Sequence, residues 1–165
     1  MFLTSCTYTL DSFVRLELKA PSFPDASKTE NPKKTVIIHG ASSSVGAFAT
    51  QLAHLAKYKV VGIAGSSGDY AKSLGADIIV DYRNKSEDEL ASDIKEAVKS
   101  LGLPVAGVYD AVSEEKTTRM LAEKVLQPDG GNITTVLPVL EKDEETPSNV
   151  QIRRTMVSAF SPDQK

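Results

Sequence analysis

The stretch TVIIH at 35–39, followed at once by GASSSVG at 40–46, constrains this chain more than any other segment. A short β-branched apolar run reads as a buried strand, and the glycine and serines after it as a tight turn. A helical period then begins, with Val45, Phe48, Ala49, Leu52, Ala53 and Ala56 spaced as one buried stripe. The same alternation recurs downstream. VVGIA at 60–64 leads through GSSGD to a short helix up to Leu74 that Gly75 closes, and IIV at 78–80 is a third strand. Ser86 and Glu89 form a capping box, and Leu90, Ile94, Ala97, Val98 and Leu101 line a helix ending at Gly102. VAGVYDAV at 105–112 is strand four. A helix carrying Met120, Leu121, Val125 and Leu126 stops at Pro128-Asp129-Gly130-Gly131, before ITTVL at 133–137 and a last strand at 150–160. Apolar strands alternating with helices imply a parallel sheet covered on both faces. Right-handed crossovers make it a doubly wound α/β Rossmann fold of about six strands.

Composition limits what such a sheet can serve. With 165 residues, 41% of them hydrophobic, the chain holds one domain with a real core and not two. Residues 1–34 read as a helix and a proline-punctuated linker (Pro21, Pro24, Pro32), residues 35–160 as the domain, and 161–165 as a tail. The charged stretch 139–148 reads as a solvated loop. Nineteen Lys and Arg against 22 Asp and Glu give a net charge of −3 without a basic stripe, which argues against a nucleic-acid partner. No run of 18 apolar residues suggests a membrane, and MFLTSCTYTLD has neither the basic flank nor the apolar length of a signal peptide, so a cytoplasmic protein is expected. The one cysteine, Cys6, excludes an internal disulfide, and with only His39 and His54 beside it no compact structural zinc site is expected.

The loop between strand one and the first long helix carries the chemistry. A phosphate bound there needs small residues for close backbone approach, free N–H donors and the positive end of the helix dipole. Gly40 permits the sharp exit from the strand and Gly46 close packing of the helix on the sheet, while Ser42, Ser43 and Ser44 offer hydroxyl donors. A serine stands at 43, where dinucleotide fingerprints place their middle glycine. Without a lysine after Val45-Gly46 the loop is not a P-loop. Strand two ends Ala64-Gly65-Ser66-Ser67 with no carboxylate to hold a ribose 2′-hydroxyl, and Tyr82-Arg83 follow strand three, which favours NADP over NAD. The bland alternative for Tyr82 and Arg83 is a solvated strand end. Asp110, closing strand four, reads as a structural acceptor for loop amides, and His39 and His54 as packing or surface residues.

The series TVIIHGASSSVGAFATQLA, VVGIAGS, AKSLGADIIVDYR and GVYDAV, with a late strand before Leu137-Pro138, resembles the medium-chain dehydrogenase/reductase superfamily. It is most similar to the zinc-free quinone oxidoreductase and enoyl reductase branch, in particular to fungal enoyl-reductase-like members. The resemblance runs from about 35 to 160, and 9–24 resembles the helix and linker that precede the nucleotide-binding domain there. Ser43 and Gly68-Asp69-Tyr70 depart from that branch, which often has glycine at the first position and a lysine after the strand-two serine. The resemblance implies NADPH as cofactor, no zinc, and hydride transfer to an activated double bond or a quinone. By position it puts Ser66 and Tyr82 at the 2′-phosphate, the loop from Gly40 through Val45 to Gly46 at the pyrophosphate, and the main chain of Val112 and Leu137 beside the nicotinamide. It implies a substrate domain of the same enzyme outside these residues, a homodimer paired through 150–160, and little turnover by this domain alone. The alternative is a non-catalytic NADP-binding or protein-interaction module.

Overall fold

The computed structural model describes residues 16–22, 25–138 and 146–155. Strand β1 (Thr35–His39) is buried at every position because it lies in the middle of a six-stranded sheet. With β2 (Lys59–Ala64), β3 (Ile78–Asp81), β4 (Val105–Asp110), β5 (Gly131–Thr135) and β6 (Val150–Arg154) the order is β3-β2-β1-β4-β5-β6, every neighbouring pair parallel. The order reverses between β1 and β4, which leaves a crevice beyond their carboxyl ends.

The helices are α1 (Ser44–Leu55), α2 (Gly68–Ser73), α3 (Glu87–Leu101) and α4 (Glu115–Met120), which runs on into a π-helical turn at Leu121–Val125. Alternation along β1 divides the core. Val36 and Ile38 pack with Ala49 and Ala53 of α1 and Ala71 of α2, whereas Ile37 packs with Ile94 of α3 and Met120 and Leu121. Each isoleucine is wholly buried, which contributes about 1.5–3 kcal/mol apiece. Both faces of the sheet are thus covered.

The stripe expected on α1 is rotated slightly. Val45, Phe48 and Leu52 are half-buried, while Gly46, Ala47, Ala49, Thr50 and Ala53 are buried. A hydrophobicity pattern passes over Thr50, yet its hydroxyl is satisfied inside the core, donating to the carbonyls of Gly46 (2.9 Å) and Ala41 (3.3 Å). Helix α3 has the full Ser86/Glu89 capping box, and Gly102 closes it in the left-handed region at φ 65°. Lys124 reaches Asp88 (2.7 Å) and Glu87 (3.5 Å), and Lys116 reaches Glu87 (3.1 Å), exposed pairs that tie α3 to the α4 region.

Three strand ends differ from expectation. Strand β4 stops at Asp110, not Val112, because the Asp110 carboxylate takes the amides of Val112 (3.1 Å) and Ser113 (2.8 Å) and turns the chain. Strand β5 spans 131–135, not 133–137: Gly131 already pairs with Val150, and the amides of Val136 and Leu137 go to the Ser113 hydroxyl. Strand β6 ends at Arg154; residues 156–160, most of the charged loop, and Cys6 with the rest of 1–15 lie outside the described residues. Of the segment before β1, Leu16 is buried in the α1 face of the core, and the Lys19 amide donates to the Tyr58 hydroxyl (2.8 Å). Among the described residues no helix is long and apolar enough to cross a membrane.

Candidate functional site

Beyond the carboxyl ends of β1, β2 and β4 lies a cleft of about 520 Å³. His39, Gly40 and Val112 line it where β1 and β4 end, Ser42 and Ser43 on the β1–α1 turn, and Ser66, Ser67, Tyr82 and Lys85 on the side of β2 and β3. Leu90, Thr117 and Met120 add a partly apolar wall from α3 and α4.

The turn is built from two close approaches. Gly40 has φ +72°, and a Cβ there would meet Val112 Cγ2 at 2.7 Å. A Cβ on Gly46 would meet the Gly40 carbonyl oxygen at 2.0 Å. Gly46 was expected to bring the helix onto the sheet, but the group it makes room for is the turn itself. Ser43 caps α1, its hydroxyl accepting from the Gly46 amide (3.1 Å) and its carbonyl from the Ala47 amide (2.7 Å). The amides of Ser44 and Val45 have no acceptor among the described residues, so the positive end of α1 keeps free donors.

The three serine hydroxyls are therefore not equivalent. Ser42 is bonded to Ser67 (2.7 Å), which clasps the β1–α1 turn to the loop after β2, and Ser43 serves as the cap. Ser44 is exposed and, like half-buried Val45 and buried Gly46, does not line the cleft.

Arg83 does not face this cleft with Tyr82. Its guanidinium forks onto Asp81 (2.6–3.1 Å), and that bond holds the Asp81 carboxyl down to about 2. Arg83 lines an adjoining groove with Asp69 and Lys72 that shares Gly65 and Ser66 with the cleft. Two cations among the described residues line the cleft, Lys85, ion-paired with Asp93 of α3, and Lys116, ion-paired with Glu87. Sequence reasoning missed Lys85, which sits in a charged run that reads as surface; the only local signal is Asn84, whose φ of 58° turns the chain. Gly65 lies beneath the Tyr82 ring: a Cβ there would be 3.1 Å from the phenolic oxygen.

His39 is buried, within the packing-or-surface expectation, and it also has a polar partner. Its register partner is Asp110, and His39 Nδ1 lies 2.8 Å from Asp110 Oδ1. Asp110 does bind loop amides, and Thr118 donates to its other oxygen (2.6 Å). Burial pushes this carboxyl up, but the bonds from His39, Ser113 and Thr118 outweigh burial and hold it below its ordinary value. Ser113, unremarked in the sequence, is a buried junction at φ 59°: it donates to the Asp110 carbonyl (2.9 Å) and accepts from the amides of Val136 (2.9 Å) and Leu137 (3.3 Å). Leu137 therefore sits past β5 with its side chain 55% exposed and away from the cleft lining, while Val112 lines it. His54 is exposed on α1 and packs over Gly75.

Residues 44–158 match the family model described as zinc-binding dehydrogenase. The chain belongs to that family. A trans-enoyl reductase from Gibberella fujikuroi is 29% identical to this zinc-binding dehydrogenase family member over 158 residues, 93% of this chain and 44% of that protein. In fold the chain is similar to the mitochondrial 2-enoyl thioester reductase heterodimer of Candida tropicalis (TM-score 0.65, 18% identity, 98% of this chain and 44% of that one). It is also similar to Escherichia coli quinone oxidoreductase complexed with NADPH (TM-score 0.63, 20% identity, 91% and 44% covered). The chain thus spans less than half the length of these proteins. Among the described residues no group of three or more His, Cys, Asp or Glu is arranged to hold a metal ion.

Proposed function

We propose that this chain is the cofactor-binding part of an NADPH-dependent oxidoreductase that transfers hydride to an activated double bond, of the enoyl or enone kind, or to a quinone. The observation that carries this reading is the cradle at the point where strand order reverses. Gly46 is seated on the Gly40 carbonyl, and the free amides of Ser44 and Val45 stand at the start of α1. A turn so tight brings backbone donors to a pyrophosphate in a way that no side chain at 40 or 46 allows.

Around that cradle the residues divide the work. The α1 amides and dipole hold the pyrophosphate; Ser66, Ser67 and Tyr82, with the charge of Lys85, hold the 2′-phosphate. No carboxylate at the end of β2 repels that group. The main chain at Val112 and Leu137, held by Asp110 and Ser113, borders the nicotinamide end. When bound, the dihydronicotinamide supplies the hydride, and the protein contributes position more than chemistry. The substrate wall belongs to a further domain of the same enzyme, and the outer edge of β6, last in the sheet order, is where two copies pair.

Parallel titrations with NADPH and NADH, followed by cofactor fluorescence and thermal midpoint, test the reading. NADPH at roughly 100 times its Kd adds about 2.7 kcal/mol, several degrees in a domain of this size. Tighter binding of NADPH than of NADH is expected; failure of both to bind, or a preference for NADH, overturns it.

A further inference from the structure

His39 and Asp110 are register partners at the ends of β1 and β4, the two strands between which the sheet order reverses. The cofactor-holding scheme above uses neither side chain directly. Both are buried, the imidazole 8% exposed and the carboxylate 0%. Asp110 is surrounded by donors: His39 Nδ1 and the amides of Val112 and Ser113 on one oxygen, the Thr118 hydroxyl on the other. An ionised carboxylate so surrounded has no hydrogen to give, so the hydrogen in its bond to His39 belongs to Nδ1. That places a hydrogen on Nδ1 in either charge state of the ring. A neutral imidazole protonated at Nδ1 carries a lone pair at Nε2.

Nε2 has no hydrogen-bond partner among the described residues, and His39 lines the cleft beside Gly40 and Ser43. A ring nitrogen that opens into the cleft in this way accepts from a donor that occupies the cleft. For the neutral ring a phosphate oxygen is the wrong occupant, since it would set lone pair against lone pair. A dinucleotide's donors are its ribose hydroxyls and the amino groups at its two ends. His39 adjoins the turn that receives the pyrophosphate, the middle of the molecule, and the groups next to a pyrophosphate are the two riboses.

We propose that His39 Nε2, held in its acceptor form by Asp110, takes a hydrogen bond from a ribose hydroxyl of the bound dinucleotide. His39 is then a cofactor-binding residue and Asp110 the positioning residue behind it. This rests on the dinucleotide reading above.

The experiment is long-range 1H–15N NMR on the ¹⁵N-histidine-labelled chain, with His54→Gln to assign the two rings. In the free chain Nδ1 is expected to be protonated and Nε2 not. Saturation with NADPH moves the Nε2 resonance toward the hydrogen-bonded range and leaves Nδ1 nearly in place. His39→Phe keeps the ring volume and is expected to raise the NADPH Kd roughly three- to tenfold. The wild-type spectrum decides the matter even where that variant fails to fold. NADPH bound with the Nε2 resonance unmoved, or Nε2 protonated in the free chain, overturns the proposal and leaves the dinucleotide reading standing. No NADPH binding by the wild type overturns both.

Discussion

A Cβ on residue 46 would lie 2.0 Å from the carbonyl oxygen of Gly40. No real Cβ tolerates that distance, and the obstructing atom is backbone, which cannot swing aside as a side-chain end can. Gly40 is held in turn, at φ +72° and against Val112. The two glycines therefore lock strand β1, the turn and the start of α1 into one shape.

Gly46→Val is accordingly expected to lose about 1–3 kcal/mol of stability, as overpacking does, and to abolish NADPH binding because the α1 amides move. Urea unfolding followed by a cofactor titration checks this. A variant of unchanged stability that binds normally would show the turn to be more pliant than the geometry allows.

The separation of Lys85 from Arg83 yields a paired prediction about cofactor choice. Lys85→Ala removes a cation from the cleft and is expected to weaken NADPH about tenfold or more, as loss of a charge-assisted bond does, with little effect on NADH. Arg83→Ala, which removes a guanidinium forked onto Asp81 and outside the cleft lining that Lys85 joins, should leave the NADPH/NADH ratio within about twofold of the wild type, a small effect of the kind exposed ion pairs have. Ser66→Asp adds like charge where the 2′-phosphate is expected and should weaken NADPH more than NADH. Equal losses for both cofactors across this set would sink the proposed 2′-phosphate site.

Asp110 makes stability depend on pH in a definite direction. Its carboxyl is held below the ordinary value in the folded chain, so the stabilisation is fully present above the unfolded pKa, about 3.9, and is lost as pH falls through the folded one. Asp110→Asn removes that contribution. Thermal midpoints of wild type and variant should be furthest apart near neutral pH and converge below about pH 4. A gap that stays constant into acid would mean that the carboxylate's charge is not what the site uses.

Ser113 joins the ends of β4 and β5 through one hydroxyl, and Ser113→Ala is expected to cost about 1–3 kcal/mol by leaving the Val136 amide without an acceptor. Ser113→Gly separates the hydroxyl from the backbone, since glycine accepts φ 59° readily. If glycine restores the thermal midpoint while alanine does not, strain at 113 matters and the hydroxyl junction does not.

Much of the fold was legible in the order of residues because the signals are local. The apolar runs of β1 and β2, the capping box at Ser86 and Glu89, and the left-handed Gly102 each follow from what a few neighbouring residues can do. The glycine turn at 40–46 between β1 and α1 was equally legible. Backbone donors at the helix start are legible from the turn's position, but that the Ser42 and Ser43 hydroxyls are engaged within the protein is not.

What the chain's order determined by itself is thus the alternation of strand and helix, the position of the glycine turn, and the absence of a carboxylate at the end of β2. Tertiary structure alone decided which polar groups meet. His39 and Asp110 lie 71 residues apart and touch because parallel strands joined by crossover helices set their register. No periodicity encodes that register, so a histidine at a strand end reads as filler until its neighbour is known. The same holds for Lys85 and Arg83. The direction each long side chain takes depends on Asn84's turn and on its carboxylate partner, Asp81 at the end of β3 for Arg83 and Asp93 on α3 for Lys85.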